Sequence, residues 1–282
     1  MRALFLIPGD GASQLQALPA ADAVARQLGF ALQVVCDPAV AGVWSLLPAV
    51  ERVIPFAFGT ANLADWANLL GSVRDPDFQA CINLASGRQV DLMLSMSHIP
   101  TRVAAGGFSA TERVSPPAGV WPAEAMAAYL RPIGVALDAG AFRLGLPGRL
   151  LEEAASSLPA GDGPLLLLAP AAGDDDWPAG RWQALPGRIR ERLADLRSLQ
   201  LPPAATAAEP LQRRAALVAS SDVVLASDTL TTELALLCGV PVVALGRTAA
   251  SLPRREGVRG LGGDGPLAGV DEDAVLAALG LG

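Results

Sequence analysis

The chain has 282 residues, 21 basic and 28 acidic side chains, a net charge of −7 and 51% apolar residues. All 21 basic residues are arginine, so lysine Schiff-base chemistry and a lysine phosphate clamp are excluded. Residues 1–155 carry 10 Arg against 13 acids and the remainder 11 against 15, so there is no basic domain and nucleic acid is a poor partner.

The length suits two α/β domains of about 140 residues each, large enough for separate cores. No apolar run approaches the roughly 20 residues needed to span a bilayer, which predicts a chain without a transmembrane segment. The run from Ala3 to Pro8 is too short for a signal-peptide core and reads as a first buried strand. Cys36, Cys81 and Cys238 are odd in number, far apart and set in apolar stretches, which favours reduced core thiols and a cytoplasmic protein. The single histidine, His98, makes a His-based triad improbable and excludes a zinc site built on several imidazoles.

In chain order, Leu4–Pro8 reads as a strand, Gly9–Ser13 as a glycine-rich loop and Leu15–Leu28 as a helix ended by Gly29. Ala31–Cys36 is a strand, Pro38–Val50 a helix opened by proline, Arg52–Phe56 a strand and Leu63–Val73 a helix. Gln79–Leu84, Gly87–Ser97 and Thr101–Ala105 complete a βαβ pattern, giving five strands of one Rossmann-like domain. From Phe108 to Ala160 the chain turns rich in Pro, Gly and Ser, with helices near Ala123–Ile133 and Leu150–Ser157. Leu165–Ala169 has the unbroken apolar character of a central parallel strand and opens a second core. Helices over Arg181–Leu193, Leu211–Ala219, Thr231–Cys238 and Asp271–Leu279 alternate with strands over Asp222–Ala226 and Pro241–Leu245. The expected division is 1–145, a linker over 146–163, and 164–282.

The chemistry concentrates where strands run into helices. A strand ends at Ser227, Asp228 and Thr229 form a polar turn, and the next helix presents free N–H groups to it, an arrangement that favours a phosphate or diphosphate. Asp228 is equally a plain N-cap, and Glu233 a capping partner. Asp174-Asp175-Asp176 is an acidic turn that faces water or recruits a cation. Asp10 lies in the loop Pro8-Gly9-Asp10-Gly11-Ala12-Ser13, where it serves either as a base or as a turn residue.

Taken together, these segments resemble the lipopolysaccharide heptosyltransferases of glycosyltransferase family 9, in a divergent and shortened form. The family frame of Asp-Thr-Gly-x-x-His, helix and Gly-x-Pro-x-x-x-Leu is matched by Asp228-Thr229-Leu230-Thr231-Thr232-Glu233 and by Gly239-Val240-Pro241 through Leu245. Leu230 replaces the glycine and Glu233 the histidine. The run Ala171-Ala172-Gly173, an acidic turn, Trp177-Pro178 and Arg181-Trp182 is similar to a second family segment, with Asp175 or Asp176 in place of a lysine. Counting back from Pro19-Ala20 puts Ser13 at the family's catalytic aspartate, three residues after Asp10. Cys81–Leu84 and Ile99–Val103 with Gly106-Gly107 also resemble the family's fourth and fifth strands.

The resemblance implies a GT-B fold, α/β, with two Rossmann-like doubly wound domains facing a cleft. It implies inverting transfer of a heptose-like sugar from a nucleotide-diphosphate sugar, an ADP-sugar by preference, to a glycan or lipid-linked acceptor of the cell envelope. Asp10 and Ser13 would be catalytic, and Gly173, Asp175, Arg181, Ser227, Asp228, Thr229, Thr231, Thr232 and Glu233 would bind the donor. Arg181 or Arg247 would supply the positive charge that the missing lysine does not. No cofactor and no metal site is expected, and the cytoplasmic placement leaves room for peripheral association with the inner membrane. The replaced residues also fit a catalytically silent GT-B scaffold that binds a sugar, nucleotide or protein, and, less well, an epimerase or hydrolase on the same frame.

Overall fold

A computed structural model describes residues 1–74, 77–206, 210–263 and 265–281, and the chain divides into two compact units, Met1–Phe142 and Arg143–Gly282. The amino-terminal unit is built on β1 (Arg2–Leu6), β2 (Ala31–Cys36), β3 (Val50–Pro55), β4 (Phe78–Asn83), β5 (Thr101–Ala104) and the two-residue β6 (Glu112–Arg113). All pairings are parallel, in the order β3-β2-β1-β4-β5-β6. The chain therefore reverses its winding between β1 and β4, the place where such sheets bind ligands at their carboxyl edge.

Helices α1 (Gly11–Leu28), α2 (Leu63–Arg74) and α3 (Arg88–Met96) cross between the first strands. The expected helix over 38–50 is a 3-10 helix, Pro38–Leu46, started by Asp37, whose side chain accepts the Ala39 amide. One core packs Leu4, Leu6, Phe56, Val73, Cys81 and Met93 between the sheet and the second and third helices. Phe56 anchors it, meeting Trp66 edge to face at a ring separation of 4.6 Å. The short helices α4 (Pro122–Ala125) and α5 (Ala127–Leu130) follow, and α4 packs against α1.

The carboxy-terminal unit has β7 (Leu165–Ala169), β8 (Arg197–Gln200), β9 (Val223–Ala226), β10 (Val242–Arg247) and β11 (Val258–Gly262), parallel in the order β11-β10-β9-β7-β8. Its helices are α6 (Gly148–Ala155), α7 (Ala179–Arg190), α8 (Leu211–Ala219), α9 (Thr229–Cys238) and α10 (Glu272–Ala278). Leu165 to Leu168 are all buried, each contributing roughly 1.5–3 kcal/mol, which suits β7 to the interior of the sheet, between β9 and β8. The segment 148–155, within a stretch read as linker, forms α6 and packs on α8. Winding reverses here between β7 and β9, so the second carboxyl-edge site lies at Ala169–Gly173 and Ser227–Leu230.

Candidate functional site

At the amino-terminal switch point the chain leaves β1 through Ile7 and Pro8 and turns sharply at Gly9, whose φ of +104° suits glycine. A Cβ at Gly9 would stand 2.8 Å from Ser13 Oγ. The turn puts Asp10 at the N-cap of α1, four residues earlier than the apolar pattern suggests, because its side chain supplies the first-turn acceptor that Gly11, Ala12 and Ser13 lack. Asp10 Oδ1 accepts both the Ser13 amide, at 2.9 Å, and the Ser13 hydroxyl, at 2.8 Å. Asp10 is exposed and its Oδ2 has no partner among the described residues. The loop rests on a buried polar post: Gln14 donates to Ile7 O at 3.0 Å and accepts from Trp44 Nε1 at 3.0 Å. Beside it lies a pocket of about 240 Å³ lined by Ile7, Ser13, Gln16, Leu84, Pro122 and Met126, without a charged side chain. The two residues expected to be catalytic are thus joined by direct hydrogen bonds, and Ser13 lines the pocket.

His98 stands apart from this group. It holds a left-handed φ of 61° after α3 and its Nε2 lies 3.3 Å from Arg74 Nη2.

In the carboxy-terminal unit the two loops at the switch point are tied at their bases. The amides of Ser227 and Asp228 both donate to Ala169 O at 3.1 Å, and the Ala171 amide donates to Ser227 Oγ at 2.8 Å. Asp228 caps α9: Oδ1 accepts the Thr231 amide and the Thr231 hydroxyl, each at 2.7 Å, and Oδ2 accepts the Ala204 amide at 3.2 Å. With both oxygens engaged, Asp228 shapes the helix start and is not a free base. Thr232 donates its hydroxyl to Asp228 O at 2.9 Å, and Thr231, Thr232 and Glu233 are all buried. The exposed part of the helix start is Thr229, and the amides of Thr229 and Leu230 have no acceptor among the described residues. Those two N–H groups, at the positive end of α9, are what this site presents to an anion.

The remaining expected donor residues are placed differently. Gly173 and Asp175 lie exposed in the loop after β7, Gly173 with φ +117° and open space beside its Cα. Asp176 turns inward instead, accepting Trp182 Nε1 at 3.2 Å. Arg181 donates Nη1 to Ala268 O at 3.0 Å and Val270 O at 2.7 Å, pinning the segment before α10. Trp177 Nε1 reaches the same Val270 carbonyl at 2.9 Å. No hydrogen bond or ion pair joins Gly173, Asp175 or Arg181 to Asp228 among the described residues. Arg247 pairs with the fully buried Glu233, Nη1 to Oε1 at 3.1 Å, and also donates to Ser251.

Sequence reasoning overlooked Arg214. It is 1% exposed and donates to Thr231 Oγ1 at 2.9 Å and to Pro202 O at 2.6 Å, linking the loop after β8 to the start of α9. Its signal was present in the helical spacing, which sets Arg214 on one face with Leu217 and Val218, both buried. Among the described residues no group of three or more His, Cys, Asp or Glu is placed to hold a metal ion. No described helix is long and apolar enough to cross a membrane.

No family model and no curated protein matches the sequence. Solved structures do match the fold over nearly the whole chain. The glycosyl transferase family 9 protein from Veillonella parvula DSM 2008 is similar at a TM-score of 0.79 and 14% identity, over 99% of this chain and 96% of that one. The ADP-heptose lps heptosyltransferase II of E. coli gives 0.74 and 16%, over 99% and 98%. E. coli heptosyltransferase WaaC with ADP-2-deoxy-2-fluoro heptose gives 0.70 and 18%, over 99% of both chains. The resemblance carried by the sequence motifs therefore holds for the fold, an α/β GT-B fold of two Rossmann-like units shared with family 9 glycosyltransferases.

Proposed function

We propose that this chain is an inverting glycosyltransferase that moves a heptose-like sugar from a nucleotide-diphosphate sugar to a glycan or lipid-linked acceptor. The observation that carries the reading is Asp10: one oxygen is fixed by Ser13, which itself lines a pocket beside the end of β1, and the other has no partner among the described residues. In this reading the acceptor hydroxyl sits on Asp10 Oδ2. Its oxygen attacks the anomeric carbon as its proton passes to the carboxylate, and the bond from that carbon to the diphosphate breaks on the opposite face. Ser13 acts as a positioning residue through its two hydrogen bonds.

The donor diphosphate is assigned to the Thr229 and Leu230 amides, with Gly173 leaving room for it and the base of the site braced by Ser227, Asp228 and Thr231. No metal or cofactor is required in this scheme. The buried ion pair supports it too, because Arg247 neutralises the carboxylate that stands where the family has histidine. An ADP-sugar is the preferred donor because the fold is shared with an ADP-heptose lps heptosyltransferase and with a heptosyltransferase solved with ADP. This reading goes with a cytoplasmic protein and leaves room for peripheral association with the inner membrane.

Calorimetric titration with ADP, UDP and GDP, with and without magnesium, on the native protein and an Asp228→Ala variant tests the donor half. One nucleotide should bind, and the variant should lose it while keeping its far-ultraviolet circular dichroism. Absence of binding by all three overturns the donor assignment.

A further inference from the structure

On the carboxy-terminal unit, away from the β7/β9 switch point, a groove of about 590 Å³ runs along the edge strand β11 beside α10. Its floor is apolar, with Leu252, Val258 and Leu261 on one side and the small side chains of Ala274, Ala277 and Ala278 on the other. Arg254, Arg255 and Arg259 line it, and no acidic residue does. In a chain of net charge −7 this is an unusual concentration of one sign.

None of the three guanidinium groups meets a carboxylate among the described residues. Arg259 donates Nη1 to Ala277 O at 3.2 Å, crossing from β11 to α10. Arg255 donates Nη1 to Leu236 O at 3.1 Å, and its Nη2 is buried without a partner. Arg254 is exposed and has no partner at all among the described residues. Burial and the nearby Arg143 lower the pKa of Arg255, as expected of a cation held without a counter-charge. A single charged side chain on an edge strand guards against strand pairing, which accounts for Arg259. It does not account for three arginines over an apolar floor.

We propose that this groove binds a phosphate-bearing amphiphile, with the phosphate ester held by Arg254 and Arg259 and the apolar body lying along the alanine face of α10. Guanidinium groups match phosphate oxygens in two-point geometry, which favours phosphate over a diffuse anion. The volume is that of a site for one small ligand. The size of the apolar floor selects an amphiphile over free phosphate. The inference does not rest on the glycosyl-transfer reading.

The test is calorimetric titration of the full-length protein with monomeric dihexanoyl-phosphatidate, against dihexanoyl-phosphatidylcholine, inorganic phosphate and a hexa-aspartate peptide. Phosphatidate should bind at least tenfold more tightly than the other three. An Arg254→Ala/Arg259→Ala variant should lose that binding tenfold or more. Ala277→Phe, which keeps every charge but fills the groove, should lose it as well. Equal binding of inorganic phosphate, of the choline lipid or of the acidic peptide overturns the proposal. So does no binding of phosphatidate, or binding that either variant leaves unchanged.

Discussion

Glu233 and Arg247 form an ion pair inside the carboxy-terminal unit, with the carboxylate fully buried and the guanidinium 17% exposed, at 3.1 Å. Glu233 projects from the second turn of α9 and Arg247 ends β10, so the pair links the helix that offers its amides to the strand after it. Removing one partner takes away the ionic compensation of a buried charge, whereas replacing both with uncharged groups of similar size removes the charge itself. Arg247→Ala is therefore expected to cost about 3–5 kcal/mol. The double change Glu233→Gln/Arg247→Met should recover most of it. Urea denaturation of the three proteins checks this, and equal midpoints for the native protein and Arg247→Ala would show the pair to be idle.

The turn at Gly9 makes a second prediction. Alanine there must take a left-handed φ of +104° and bring its Cβ to 2.8 Å from Ser13 Oγ, in the residue that fixes Asp10. We expect Gly9→Ala to cost about 1–3 kcal/mol. Adding Ser13→Ala removes the Oγ contact but leaves the Cβ of residue 13 at 3.0 Å and the backbone strain, so thermal unfolding should show only partial recovery.

The thiols should be silent in the folded protein. Burial, with the Asp37 charge beside it, raises Cys36 from 9.0 to about 11, and burial raises Cys238 to about 12 and Cys81 further. The folded state thus favours the protonated thiols. The stability this contributes is complete below pH 9 and is lost as the pH rises toward 11 and 12, because the unfolded chain ionises first. Unfolding free energies measured from pH 8 to 11 should fall only above pH 9, and thiol-reactive dye should label Cys36 and Cys81 at pH 8 only on unfolding.

The sequence disclosed the parts of the fold whose residues face one environment throughout. β7 is read correctly at both ends because Leu165–Ala169 is buried on both faces. β8 and β11 escaped, since Arg-Ser-Leu-Gln and Val-Arg-Gly-Leu-Gly belong to edge strands that have one neighbour and much solvent. α1 begins at Gly11 because the Asp10 cap outweighs weak helix formers in its first turn. The contact between Asp10 and Ser13 was legible, because they are three residues apart across a helix start. The fates of Arg181 and Arg247 were not, because their partners Val270 and Glu233 are 89 and 14 residues away and meet them only through the sheet order. The helical spacing marks Arg214 as buried, but not its partner Pro202, since that loop follows the unread strand β8.

If Asp10 takes the proton from the attacking hydroxyl, as proposed, Asp10→Asn removes the base while asparagine still caps α1. The measurement is the rate of nucleoside diphosphate release from an ADP-sugar, with water as the acceptor, by the native protein and the variant at saturating donor. We expect measurable release by the native protein and a fall of about 100-fold or more in the variant, with the nucleotide dissociation constant unchanged. Equal rates in the two proteins, or no release by either while the nucleotide binds, would rule out Asp10 as the base.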